Sequence, residues 1–146
     1  MPLEYRQVPH RSYEYEDAVA LRREVLRLPL GLDFTPEELD AEAAHLHLVA
    51  RDNKKVVACL VLEPVTPNTI KMRQVAVSPE RQGEGIGVEL VKFSEQIAQA
   101  YAYGEITLNA RANVVPFYLK LGYETYGEPF EEVTIPHRSM KKKIML

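Results

Sequence analysis

Three glycines at alternate positions, Gly83, Gly85 and Gly87, stand in the stretch Ser78-Pro79-Glu80-Arg81-Gln82-Gly83-Glu84-Gly85-Ile86-Gly87. Without Cβ atoms they let a ligand approach the backbone closely. The apolar residues that follow, Ile86, Leu90, Phe93, Ile97 and Tyr101, recur at helical spacing. The loop therefore opens a helix, and the unpaired N–H groups and positive dipole end of that helix face whatever the loop holds. The chemistry this suits is phosphate binding. Spacing excludes two common phosphate loops. A nucleoside-triphosphate loop ends in Gly-Lys-Ser/Thr, whereas here Gly87 is followed by Val88-Glu89. A dinucleotide fingerprint places its third glycine three positions after the second, and here it comes two after. A ligand-free strand-to-helix turn is the plain alternative, but three glycines in one turn would weaken the helix start to no purpose.

The elements that must position this loop follow from pattern and punctuation. Ile70 to Val77 predicts the strand that feeds it, stopped by Ser78-Pro79 because proline cannot donate to a ladder. Upstream, Leu3 to Val8 predicts a first strand. Ser12 caps a helix with Ala18, Leu21, Val25 and Leu28 on one face, ended by Pro29 and Gly31. Thr35-Pro36-Glu37-Glu38 is a capping box with proline at the first helical position, opening a helix to about Ala44. His47 to Arg51 and Val56 to Glu63 predict two strands joined at Asp52-Asn53-Lys54, with Asn53 at positive φ. Val56 to Leu62 is apolar on both faces, so this strand is central, and Cys59 within it is a small core residue.

Downstream, the long helix runs from Val88 to about Tyr101 and Gly104 ends it. Glu105 to Asn109 is a short strand. Asn113 caps a short helix that stops at Gly122, and Tyr123 to Tyr126 and Arg138 to Ile144 are the last two strands. Lys141-Lys142-Lys143 suits edge-strand protection. The order predicts an α/β (α+β) fold: a mixed central sheet with helices on both faces.

At 146 residues the chain suits one domain with a sizeable core. A net charge of −3 and a pI of about 5.8 argue against a nucleic-acid binder. The longest apolar run, Val56 to Leu62, is too short to span a bilayer, and the first residues lack a signal-peptide core. A single cysteine permits no internal disulfide and fits a reducing cytoplasm. His45 and His47 would share a strand face, but no further ligands stand nearby, so no metal is expected.

Gln82-Gly83-Glu84-Gly85-Ile86-Gly87 fits the pattern Gln-x-x-Gly-x-Gly, which resembles the pyrophosphate loop of the GNAT acyltransferases. Asn113-Val-Val-Pro-Phe-Tyr118-Leu-Lys-Leu-Gly122-Tyr123 is similar to that family's other signature, an asparagine followed by a short helix carrying tyrosine and ending in Gly-aromatic. The two occur in the family's order, and the resemblance covers about Val56 to Ile144. Lys71-Met72-Arg73, Leu108-Asn109-Ala110, Val115-Pro116-Phe117-Tyr118 and Ile135-Pro136-His137 with Met140 resemble the ElaA-like subgroup, as do Leu21-Arg22 and His47.

The resemblance implies a single GNAT-like domain over residues 1–146 that transfers an acetyl group from acetyl-CoA to a primary amine of a small molecule or peptide. It implies a splayed gap between the strands ending at Val77 and at Asn109. The pantetheine arm pairs there with the backbone of Val75, Ala76 and Val77, and the pyrophosphate rests on the loop from Gln82 to Gly87, Glu84 included. An N–H near Val75 polarises the thioester carbonyl. Tyr118 matches the general acid for the departing thiolate, with a core tyrosine as its plain reading. Asn113 contacts the pantetheine or only caps its helix.

The sequence departs from the family at the base. Many members carry a glutamate on the strand before the loop, but Lys71 and Arg73 stand there and no carboxylate occurs between Ile70 and Ser78. Three alternatives follow: no base, a water chain in its place, or a base supplied from elsewhere. For the last, His137 is the candidate, since its ordinary pKa suits proton transfer near neutrality, against a structural turn at Pro136-His137. Arg22 suits an acidic group of the acceptor, against a solvated helix arginine. His47 is a further acceptor-side candidate, against a structural role. The rival function is an acyl-CoA-binding sensor or partner protein without turnover. No nucleic-acid or membrane partner is expected, and the chain is a monomer or homodimer.

Overall fold

The structure, a computed structural model, describes residues 3–144. Seven strands form one sheet: β1 (Glu4–Val8), β2 (Leu46–Asp52), β3 (Lys55–Pro64), β4 (Thr69–Val77), β5 (Glu105–Arg111), β6 (Glu124–Glu132) and β7 (Ile135–Lys143). Their order is β1-β2-β3-β4-β5-β7-β6. β4 and β5 run parallel and the ladders β1–β2, β2–β3, β5–β7 and β6–β7 are antiparallel, so the sheet is mixed as expected. Four helices accompany it: α1 (Tyr13–Arg22), α2 (Pro36–Asp40), α3 (Ile86–Ala100) and α4 (Val115–Lys120).

The chain divides into two compact units. One comprises the residues up to Glu63 together with Arg73–Ser94; the other comprises Pro64–Met72 and the residues from Glu95 on. β4 and α3 each supply residues to both.

In the first unit, β1, β2 and β3 form an antiparallel ladder and α1 covers one of its faces. Val8, Val49, Cys59 and Ala76 pack there against Ala18 and Leu21 of α1. Tyr5, on the alternate face of β1, meets Phe93 of α3 with ring centroids 6.2 Å apart. Helices therefore lie on both faces. Val56 to Leu62 is wholly buried, as an interior strand must be. Burial pushes the Cys59 thiol up to about 12, and its Sγ faces the Ala18 carbonyl. It is an inert core residue.

The local signals work as chemistry requires. Ser12 accepts a hydrogen bond from the Tyr15 N–H, and Thr35 and Glu38 close a reciprocal capping box. Asn53 turns the β2–β3 hairpin at φ 56°. After α1 the chain widens into a π-helical turn, Arg23–Arg27, then tightens into a 3₁₀ turn that ends at Gly31.

In the second unit, β5, β7 and β6 form an antiparallel ladder with Ile106, Leu108 and Met140 fully buried. Several expectations are corrected here. β7 lies between β5 and β6, so Lys141 to Lys143 do not guard an edge. Lys142 donates to Glu95 at 3.1 Å and to the Leu121 carbonyl at 2.7 Å, and Lys141 sits over the Tyr126 ring. β6 and β7 extend well beyond the expected strands because Val133 and Thr134, both at positive φ, turn a tight hairpin without a glycine or asparagine to announce it. Pro136 and His137 lie inside β7 rather than in a turn. α3 ends in a left-handed residue at Ala102, ahead of Gly104. Its buried stripe is Ile86, Leu90, Val91, Ser94 and Ala98, while Tyr101 is half exposed.

Candidate active site

The glycine loop forms as its residue types demand. Ser78 closes β4 by donating its N–H to the Val57 carbonyl at 2.8 Å, and Pro79–Arg81 make one 3₁₀ turn. Gly83 and Gly85 then take φ of 85° and 81°, a conformation that side chains rarely adopt. A Cβ built on either meets nothing within 4 Å, so open space lies beside both. The first helical bond runs from Glu89 N–H to Gly85 carbonyl. The N–H groups ahead of Glu89 therefore lack helical acceptors. Ile86 is buried and anchors the helix start, and Gly87 follows inside α3. The loop thus offers N–H groups without helical acceptors beside open space, which suits an anion.

Charge around the loop is arranged by a residue that the glycine motif does not include. Arg81 Nε binds both oxygens of Glu84, at 3.0 and 3.1 Å, and its Nη1 reaches Asp52 at 3.1 Å. The guanidinium shares its single charge between Glu84 and Asp52, which weakens the repulsion that the loop carboxylate would exert on a phosphate. A cation next to the glycines in the sequence was the available signal. Gln82 donates to the Val77 carbonyl at 3.3 Å, tying the loop back to β4.

Ahead of the loop, Gln74 within β4 takes φ 58°, which interrupts the extended backbone. The β4–β5 ladder pairs Thr69 to Met72 with Glu105 to Leu108 and ends there, although both strands continue. Val75 and Val77 are half-buried and Ala76 is buried.

Tyr118 lies on α4, buried at 6% exposure, with edge contacts to Phe117 and Tyr123 at 5.0 and 5.7 Å. Burial pushes its phenol up to about 12, so it keeps its proton at neutral pH. Asn109 is exposed and its Oδ1 accepts from Ser139 at 3.0 Å. Asn113 does not cap α4: it lies within a 3₁₀ turn, Ala112–Val114, and no side chain caps the helix. His137 is buried, donates from Nδ1 to the Ile135 carbonyl at 2.7 Å and stacks on Phe130. Its Nε2 stands 3.6 Å from Glu132.

The two acceptor-side candidates are corrected. Arg22 is 1% exposed, neither solvated nor free for an acceptor, because its Nη atoms bind both oxygens of Glu42 at 2.9 and 2.6 Å. His47 is buried and donates from Nε2 to the Glu42 carbonyl at 2.9 Å. Tyr15, which also donates to Glu42, closes over the His47 ring at 4.8 Å. These residues lock α1 to the segment after α2. Sequence spacing could not show this, because Glu42 carries no local mark. Among the described residues no group of three or more His, Cys, Asp or Glu could hold a metal ion.

The first unit thus presents an open glycine loop at a helix start, and the second a buried tyrosine on a short helix. A family model described as an acetyltransferase (GNAT) domain matches residues 32–144. The chain belongs to that family, whose enzymes use acetyl-CoA as co-substrate and act on amines. It is 28% identical to YjcF of Bacillus subtilis, an uncharacterised N-acetyltransferase, over 88% of this chain and 92% of that one. The crystal structure of Escherichia coli ElaA superposes with a TM-score of 0.83 at 21% identity, covering 97% of this chain and 100% of the other. A GNAT acetyltransferase from Elizabethkingia anophelis with acetyl-CoA bound gives 0.73 at 18% identity, covering 97% of each.

Proposed function

We propose that the chain works as one domain, an N-acetyltransferase that transfers the acetyl group of acetyl-CoA directly to a primary amine of a small molecule or peptide. The observation that carries this is the loop at Gly83 and Gly85, with its left-handed backbone and open space ahead of a fifteen-residue helix. Its N–H groups, from Gln82 to Gly87, hold the pyrophosphate, and the tie between Arg81 and Glu84 supports this by weakening a repelling charge. The pantetheine arm lies along Val75, Ala76 and Val77, with Asn109 and Asn113 as its further contacts. The Val75 N–H polarises the thioester carbonyl. The amine nitrogen bonds to the carbonyl carbon, the C–S bond breaks, and the Tyr118 phenol gives its proton to the sulfur. Lys71-Met72-Arg73 and Ile135-Pro136-His137 support membership of the ElaA-like subgroup, with the cytoplasm as the place of action.

Thermal unfolding with acetyl-CoA, CoA, ATP and NAD, each in excess, tests the cofactor, because a ligand of the folded state alone raises the midpoint. A rise with the two CoA species only is the expected outcome. Thiol release with a panel of amines then tests transfer, and Tyr118→Phe should lower it about 10²-fold or more while keeping the acetyl-CoA shift. Full activity in that variant would remove Tyr118 from the reaction. A CoA shift without turnover on any amine would favour the sensor reading, which the missing β4 carboxylate motivates.

A further inference from the structure

With Lys71 and Arg73 on β4 and no carboxylate there, that strand supplies no carboxylate base for the acceptor. Glu63, near the end of β3, stands beside Arg73, whose Nη1 donates to Glu63 Oε1 at 3.0 Å. His45, the residue before β2, brings its Nε2 to 3.9 Å from Glu63 Oε2, too far for a hydrogen bond. Among the described residues Oε2 accepts no hydrogen bond, and the Glu63 side chain keeps 32% of its surface open. One carboxylate oxygen is therefore fixed and the other is free to take a proton.

The backbone relates this carboxylate to the reaction. Arg73 precedes Gln74, the residue of β4 at positive φ, and Val75 follows. An amine approaching a thioester carbonyl at the Val75 N–H thus arrives two residues along β4 from the Arg73 that holds this carboxylate.

We propose that Glu63 is the general base for the acceptor amine, with Arg73 as its positioning residue; this rests on the acetyltransferase reading above. The acceptor arrives as an ammonium ion, attracted by the free carboxylate oxygen, and passes one proton to Oε2. The freed lone pair forms the C–N bond as the C–S bond breaks. The sulfur takes the Tyr118 proton, and the second amine proton restores the phenol as the amide forms. Glu63 then releases its proton to solvent, so one proton ends on sulfur and one in water. The charged and titratable groups around Glu63 are Arg73 from β4 and His45, itself in the field of Glu42 and Arg22. Burial lowers the His45 pKa, which keeps that ring neutral and leaves Arg73 as the cation beside Glu63.

Glu63→Gln, Glu63→Asp, Arg73→Ala, Arg73→Lys and His137→Ala test the assignment. Thiol release from acetyl-CoA is followed from pH 6 to 9 with spermidine, free lysine, an alanine-initiated peptide and water as nucleophiles. The acetyl-CoA thermal shift serves as the separate readout of the acyl site. Glu63→Gln should lower kcat about 100-fold or more across this pH range and keep the thermal shift. Glu63→Asp and Arg73→Lys should retain more activity than Glu63→Gln and Arg73→Ala respectively, and the loss in His137→Ala should be far smaller than that in Glu63→Gln. The proposal is overturned if Glu63→Gln keeps the wild-type rate and profile, if His137→Ala takes the loss instead, or if the wild-type protein outpaces Glu63→Gln with none of the nucleophiles. Loss of the acetyl-CoA shift in the wild-type protein would instead overturn the acetyltransferase reading itself.

Discussion

Arg22 and Glu42 meet as a buried bidentate pair to which Tyr15 adds a third hydrogen bond. Burial alone would raise the Glu42 pKa; the Arg22 guanidinium outweighs it and holds the carboxyl below its ordinary value. Removing the charge from one partner strands the other in a low-dielectric site. Glu42→Gln should therefore destabilise the protein by about 3–5 kcal/mol, measured by urea unfolding. A change below about 1 kcal/mol would mean that water reaches Arg22 freely, since exposed pairs contribute no more than that. At Tyr118 burial acts alone. A phenol pushed up to about 12 should not lose its proton below pH 10, so an alkaline fall in rate before that pH would have to come from another group.

At the scale of elements, the glycine loop and the β6–β7 hairpin use the same backbone region for different ends. At Gly85 the left-handed conformation leaves room for a ligand. Gly85→Ala forces a side chain into that conformation at about 1–2 kcal/mol and places a Cβ in the open space, and Gly85→Val adds bulk. Both variants should fold, with the thermal shift by CoA reduced in the first and absent in the second; unchanged shifts would move the pyrophosphate elsewhere. In the hairpin, Val133 and Thr134 hold positive φ with branched side chains. Asparagine followed by glycine is the pair such a turn prefers. The double substitution Val133→Asn with Thr134→Gly should raise stability by about 1–2 kcal/mol in urea unfolding without altering turnover.

For the whole molecule, buried histidines set the response to acid. Burial lowers the pKa of His47 and His45, so the folded chain refuses protons that the unfolded chain binds. Their contribution to stability is complete above about pH 6.5, the ordinary histidine value, and is lost as pH falls below it. Glu42, also lowered, adds a loss at still lower pH. The unfolding midpoint should therefore be level from about pH 8 to 7 and fall from about 6.5 to 5, and His47→Gln should flatten that fall. A midpoint that rises on acidification would contradict the burial of these rings.

The sequence by itself determined what depends on neighbours in the chain. The Thr35–Glu38 capping box, the Ser12 cap, the Asn53 turn, the buried run from Val56 to Leu62 and the glycine loop all follow from residue type at short spacing. Hydrogen bonds to the next turn, positive φ and strand alternation are local physics. Tertiary structure decided the rest. Only folding brings Glu42 to Arg22, twenty residues away, which turned an acceptor candidate into an interior pair. Only the sheet order put β7 between β5 and β6 and gave its lysines partners instead of an edge. The β6–β7 hairpin has no local signature because long cross-strand ladders hold Val133 and Thr134 where their own preference opposes the turn. Glu63 carries no sequence mark either: its nearness to Arg73 comes from β3 and β4 lying side by side, across ten residues of chain. Contacts that close long loops are chosen by the packing of whole elements, which no short pattern encodes.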